Sequence, residues 1–224
     1  MIRHLTPWFV LACVLAPGAR AADIAVGAQG GTLGLGASVT VGLTETLNVR
    51  GLVHDFSYDF DDEASDIDYE FDLDLRSVGA LLDWHILGSG FRVSAGGYFN
   101  DNAVAGVGRP LPGSTVEIGD LLVPAEFVDR AEADLAFDDF SPYVGIGWGN
   151  AVGPDKRFGF SLDLGVLLQG APEPNFRAFA SDAAPPGVQE LIDQEVAREE
   201  AEIRDDLDEF EFYPVLSLGL SYKF

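Results

Sequence analysis

Apolar and polar residues alternate with a period of two along most of this chain. In the last fifteen residues Phe210, Phe212, Pro214, Leu216, Leu218, Leu220, Tyr222 and Phe224 share one face, while Glu211, Tyr213, Val215, Ser217, Gly219, Ser221 and Lys223 share the other. That period marks an extended strand, whose successive side chains point to opposite sides. The same alternation runs through 157–169, 140–148, 91–100, 68–86, 47–53 and 33–41. Over 68–86 the apolar face changes near Arg76 and Ser77, and the strand starting at Leu47 changes near His54 and Asp55. Each change predicts a β-bulge, because one extra residue exchanges the two faces.

The connections between these seven segments fall into two lengths. Short ones at 42–45, 87–90 and 149–156 alternate with long ones at 60–67, 105–132 and 172–209. Bacterial membrane barrels have this asymmetry, an even strand number, short periplasmic turns and long outer loops. With Phe224 at the periplasmic end, strand 33–41 needs a partner before it. Ile24, Val26 and Ala28, alternating with Ala25, Gly27 and Gln29, supply an eighth strand, with Gly30-Gly31 as the turn. Trp84, Phe91, Trp148, Phe158, Tyr222 and Phe224 then fall at the periplasmic ends and Phe99, Phe140, Phe210 and Phe212 at the other, as aromatic girdles do. The expected fold is all-β: an eight-stranded antiparallel transmembrane β-barrel with long acidic outer loops, one containing an α-helix.

The composition of the two faces separates a membrane barrel from a soluble one. One face is filled with Leu, Val and Phe; the other is rich in Gly and Ser with occasional Arg and Asp. Eight strands leave room inside only for their own side chains, so the small polar face suits the interior and the apolar rows face lipid. A closed barrel is also one of two ways to satisfy backbone groups in hydrocarbon.

Before the first strand, Arg3, the apolar stretch Leu5 to Ala16 and Ala19-Arg20-Ala21 match a secretory signal peptide over 1–21, leaving a barrel domain over 22–224. Cys13, the single cysteine, leaves with it, which excludes disulfides and thiol chemistry. Of the 13 Lys and Arg, Arg3 and Arg20 are also removed, so 11 basic residues face 37 acidic ones and the net charge is −26. Such a charge excludes a nucleic-acid partner, which needs clustered bases. With 47% hydrophobic residues present, the acid must be segregated, and ten carboxylates with no basic residue run from Asp55 to Asp74.

The C-terminal run Tyr213-Pro-Val-Leu-Ser-Leu-Gly-Leu-Ser-Tyr-Lys-Phe224 resembles the assembly signal of outer-membrane proteins, carried here by Leu218, Leu220, Tyr222 and Phe224. Pro142-Tyr-Val-Gly-Ile-Gly-Trp-Gly-Asn150 and Phe160-Ser-Leu-Asp-Leu-Gly-Val166 are similar to strands of small porin-like proteobacterial proteins of the OmpA and OmpW barrel type. The resemblance implies an outer-membrane location, outer-membrane lipid and lipopolysaccharide as surroundings and the barrel-assembly machinery as a partner during biogenesis. It implies no common activity.

Candidate chemistry is sparse. Arg50, Arg76 and Arg92 are expected to point inward with Asp83, His85 and Asp163, forming an interior polar cluster that plugs the barrel, since buried charges need partners. Asp83 and His85, two residues apart, would also suit acid/base work, but they sit beside the periplasmic turn. Asp59, Asp61 and Glu63 have the alternate spacing of a calcium loop, with Ala64 where an EF-hand has glycine, so a solvated rim is expected and divalent cations there are the alternative. Pro186 to Leu207 reads as a helix whose Val188, Leu191, Ile192, Val196, Ile203 and Leu207 form an apolar stripe expected to cap the barrel mouth. A small hairpin is expected around Thr115–Ile118 and Leu121–Val123. The chain therefore reads as a monomeric, non-enzymatic outer-membrane protein with a plugged interior, no cofactor and a structural or surface-interaction role. A small-solute or cation-preferring channel is the second reading, and a membrane-embedded hydrolase the third.

Overall fold

The computed structural model describes residues 23–64, 67–154, 157–207 and 210–224, so the expected signal peptide lies outside the described residues. The protein is mostly antiparallel sheet with one helix. The strands are β1 (Ile24–Gly31), β2 (Gly34–Gly42), β3 (Leu47–Ala64), β4 (Ile67–His85), β5 (Phe91–Asn100), β6 (Ala103–Pro110), β7 (Thr115–Ile118), β8 (Leu121–Pro124), β9 (Val128–Ala136), β10 (Phe140–Trp148), β11 (Phe158–Leu168), β12 (Glu173–Ala180) and β13 (Phe212–Lys223). The helix, α1, spans Val188–Leu207.

Pairings from β1 run through β2, β3, β4, β5, β10, β11 and β13 and return to β1, each antiparallel. These are the eight strands that the alternation predicts, including the one at Ile24. The first turn differs: Gly31 pairs with Gly34, so Thr32-Leu33 make the bend and not Gly30-Gly31, with Gly34 at φ 92°. Leu33, expected on the apolar outer row, is turned inward there and buried.

Neither expected bulge exists. The β3–β4 register runs unbroken from Leu47 opposite Trp84 to Ala64 opposite Ile67. What changes is the chemistry of each face. Near the short turns, Val49, Val53, Val78, Leu82 and Trp84 are exposed on one side, while Arg50, His54, Ser77 and Asp83 are buried on the other. Beyond Asp55 and Arg76, which stand opposite each other, the first side continues as Asp59, Asp61, Glu70, Asp72 and Asp74. The second becomes Phe56, Tyr58, Phe60, Tyr69, Phe71, Leu73 and Leu75. Polarity inverts without a register shift.

The segment read as loop 60–67 is thus the tip of a long hairpin. Ser77–His85 of β4 pairs with β5, whereas Ile67–Asp74 pairs with β6, and β9 and β12 follow. This outer sheet occupies much of what the sequence presents as loops. The β7–β8 hairpin and the helix appear where expected, but α1 does not cap the barrel mouth. Ile192 is fully buried, with Val188 and Val196 packed near Val123, Val128 and Ala178 of the outer sheet and hairpin, and Leu191 stays exposed. The apolar stripe is buried against these partners, and a helix needs such packing to persist.

A second buried cluster lies within the circuit of eight strands: Leu33, Leu52, Leu81, Tyr98, Tyr143, Leu167 and Val215. The inward face is therefore not uniformly small and polar. Inward glycines make room for the large rings. A Cβ on Gly79 would lie 2.5 Å from Tyr98 Cε1, and one on Gly165 would lie 2.5 Å from Tyr143 Cζ. Replacing Gly165 with Val should lower stability by about 1–3 kcal/mol, the usual range for overpacking, read as a lower urea midpoint in detergent micelles.

Candidate functional site: a buried charge layer

Four strands each contribute one ionised side chain to a single layer: Arg50 from β3, Asp83 from β4, Arg92 from β5 and Asp163 from β11. Their placement follows from strand parity, because all four fall on the buried face of the alternation. Arg50 reaches both carboxylates, with Nε 2.9 Å from Asp83 Oδ2 and Nη1 3.0 Å from Asp163 Oδ2. Arg92 Nη2 lies 2.6 Å from Asp163 Oδ1, and its Nε is 3.7 Å from Asp83 Oδ1. Two positive and two negative charges thus cancel in a square. Each side chain is less than a tenth exposed, and burial at that depth is tolerable because every charge has opposite neighbours.

Neutral groups complete the layer. Ser94 Oγ donates to Asp83 Oδ1 at 2.5 Å, and Arg92 donates to the Gly149 carbonyl. The Arg92 guanidinium lies over Gly147, where a Cβ would come within 3.0 Å of its Cζ. The apolar and tyrosine layer stacks above the charges on the side away from the short turns. Two small cavities that share Gln29 and Arg50 in their linings flank the charges, one also lined by Ser38, Thr40, Asn48 and Ser161, the other by Leu52, His54, Leu81 and Tyr98.

His85 is next to this layer but does not form an acid/base pair with Asp83. Its Nδ1 donates to the Ser89 carbonyl at 3.2 Å, so Nε2 accepts from Asn48 Nδ2 at 3.0 Å. Asn48 also donates to Asn150 Oδ1 at 3.1 Å. Both ring nitrogens are occupied, and Asp83 is held by Arg50 and Ser94.

Arg76 requires a correction. It is expected in the interior cluster, but without a bulge its parity sends it outward, where it meets Asp55 at 3.3 Å with both side chains more than half exposed. Asp59 and Asp61 stand on an extended strand and not in the loop that the calcium alternative requires, and the side chain of Glu63 lies outside the described residues. Among the described residues no group of three or more His, Cys, Asp or Glu is arranged to hold a metal. Leu218 and Leu220 are exposed on the outer face of β13, which is paired on both sides by β1 and β11; Tyr222 is half-buried, and Phe224 is exposed just beyond the strand.

Asn48, Ser94, Tyr98, Tyr143 and Asn150 belong to this interior although sequence reasoning does not single them out. Inward parity was the available signal for the first four. Asn150 lies in a turn and gives none.

No protein-family model and no curated protein matches the sequence. Among solved structures, the fold is similar to that of CarO2 of Acinetobacter baumannii, with a TM-score of 0.58 at 18% identity, covering 90% of this chain and 98% of that one. CarO of the same organism matches with a TM-score of 0.58 at 17% identity and the same coverage. Both are outer-membrane β-barrel proteins, and the likeness gives this chain an outer-membrane β-barrel type of fold without favouring the OmpA or OmpW type.

Removing one carboxylate should expose the dependence of the layer on balance. Asp163→Ala leaves Arg50 and Arg92 short of a partner and should cost about 3–5 kcal/mol in urea unfolding. Arg76→Ala, at an exposed pair, should stay within about 0.5 kcal/mol of the parent.

Proposed function

We propose that this chain is a closed, eight-stranded transmembrane barrel of the outer membrane, non-enzymatic and plugged, whose role is structural or surface-interacting through the sheet and helix on its outer side. The filling of the interior carries this reading. A neutral square of charges lies under a layer of leucine, valine and tyrosine, with small cavities on either side. Eight strands leave little room beyond their own side chains, which supports a plugged interior.

The circuit of pairings supports closure, since it leaves none of the eight strands with an unpaired edge over its inner half. The row of exposed Val78, Leu82, Trp84, Val144, Ile146, Trp148, Leu162, Leu164, Leu218 and Leu220 supports lipid contact. A long outward apolar band in a chain so acidic is otherwise an aggregation hazard. On this reading the segment 1–21 directs export and is removed, and the outward residues of β13 are what the assembly machinery meets. The occupied nitrogens of His85 weigh against a hydrolase built on Asp83 and His85.

Purified protein in planar bilayers should give no unitary conductance steps. Reproducible steps would support the small-solute or cation-preferring channel in its place. The lipid boundary is tested separately by two arginines. Leu82→Arg should destabilise by about 2–4 kcal/mol near the bilayer midplane. Asp72→Arg, beyond the polarity inversion on the same face of β4, should change stability by no more than about 0.5 kcal/mol. Equal effects would place both positions in one solvent and remove the membrane reading.

A further inference from the structure

The outer sheet ends at β12, which is hydrogen-bonded to β9 on one side and lies last in the strand order. Its other side meets α1 in an unusual way. The Ala180 N–H donates to Gln189 Oε1 at 2.7 Å, and Gln189 Nε2 donates to the Ala178 carbonyl at 2.9 Å. The Phe176 N–H donates to Glu200 Oε2 at 3.3 Å. Residues 176, 178 and 180 are alternate positions, the spacing at which one edge of a strand presents its backbone groups. The Gln189 carboxamide offers an acceptor and a donor side by side, the same pair that a peptide unit of a neighbouring strand offers. The helix therefore stands where the next strand would pair.

It is held there at more than one point. Ile192 is buried in the outer core, Arg198 Nη1 lies 2.6 Å from Asp120 Oδ2, and Glu195 Oε2 accepts from the Asp120 N–H at 3.4 Å in the β7–β8 turn. The opposite edge of the outer sheet is managed differently. Pairing of β2 with β3 reaches Asp55, and the part of β3 beyond it bears Asp59 and Asp61. Charge suffices to blunt a strand edge. On β12 the sequence Glu-Pro-Asn-Phe-Arg-Ala-Phe-Ala lacks that protection over its last residues.

We infer that α1 is an edge guard: Gln189 and Glu200 occupy the backbone positions of β12 that would otherwise pair with β12 of a second copy of this chain. The spacing of the guarded positions favours that occupant. In an antiparallel pair centred on Ala178, Phe176 of each copy stands opposite Ala180 of the other, so the three guarded positions meet their own equivalents about a two-fold axis.

The test uses the full chain in detergent micelles, comparing the parent with the double variant Gln189→Ala, Glu200→Ala by residue-resolved amide exchange and light scattering. In the double variant the Phe176 and Ala180 amides should exchange about tenfold faster at low concentration, the effect of losing one net hydrogen bond each. Raising the concentration should produce a dimer in which the same amides slow again, while the parent stays monomeric. Gln189→Glu separates edge exposure from loss of the helix, because it keeps the acceptor for the Ala180 N–H and loses the donor to Ala178; in it, Ala180 should remain slow. Unchanged exchange in the double variant would overturn the inference. So would equally fast exchange of Ala180 in Gln189→Glu, or faster exchange with the protein monomeric at every concentration.

Discussion

On the proposed transmembrane reading, the strands lie in hydrocarbon with no water to receive their N–H and C=O groups, so every one of these must find a partner on another strand. Much else in this structure follows from that constraint. The circuit from β1 back to β1 satisfies it, and by doing so fixes the register of every strand against two neighbours. Register fixes parity, and parity decides which side chains are inside. Arg50, Asp83, Arg92 and Asp163 come from four different strands, yet they meet in one layer because the backbone ladders leave them no other side to occupy. The glycines opposite Tyr98, Tyr143 and Arg92 then matter as much as the large residues, since a Cβ at those positions would take the volume that the rings and the guanidinium fill.

The same constraint reappears in altered form beyond the circuit. Once β3 and β4 extend past Asp55 and Arg76, backbone groups that were paired around a circuit acquire free edges again. In water the penalty for an open edge is no longer desolvation but unwanted pairing with another chain. Carboxylates deal with one edge and a helix with the other. The acidity of the chain is then partly a property of this outer sheet, where charge on the outward face replaces the apolar residues that lie lower on the same strands.

Much of the architecture was legible in the sequence because period-two contrast is strong wherever one face is apolar. Seven strands of the circuit, the β7–β8 hairpin and α1 could be placed within a few residues, while β3 was placed at its start and its far end was read as loop. β6, β9 and β12 were not legible. Ala103-Val-Ala-Gly-Val-Gly has little contrast between its faces, and Pro174 and Asn175 resemble loop residues. The error at Arg76 has a different origin. A sequence records polarity and not direction, so an inversion of solvent looks the same as a shift of register, and a bulge was the reading that kept the apolar face constant. The interior layer was hidden for a related reason: Leu81 next to Leu82, and Leu167 next to Leu168, merge into apolar pairs in which neither member announces that it points inward. The charged residues were easier to place, because an Arg or Asp on a strand otherwise lined with glycine and serine has few places to go.

The unbroken β3–β4 hairpin has a mechanical meaning. Nineteen residues of β4 extend about 60 Å at roughly 3.3 Å per residue, far more than the apolar band of about 25 Å that such barrels present. Two of the four strands that line the charge square, β3 and β4, therefore rise as one stiff mast into the outer sheet. On the proposed transmembrane reading, the tilt of the barrel wall then sets the attitude of the outer face. A sideways load on the sheet would be borne by the same backbone ladder that holds Arg50 against Asp83.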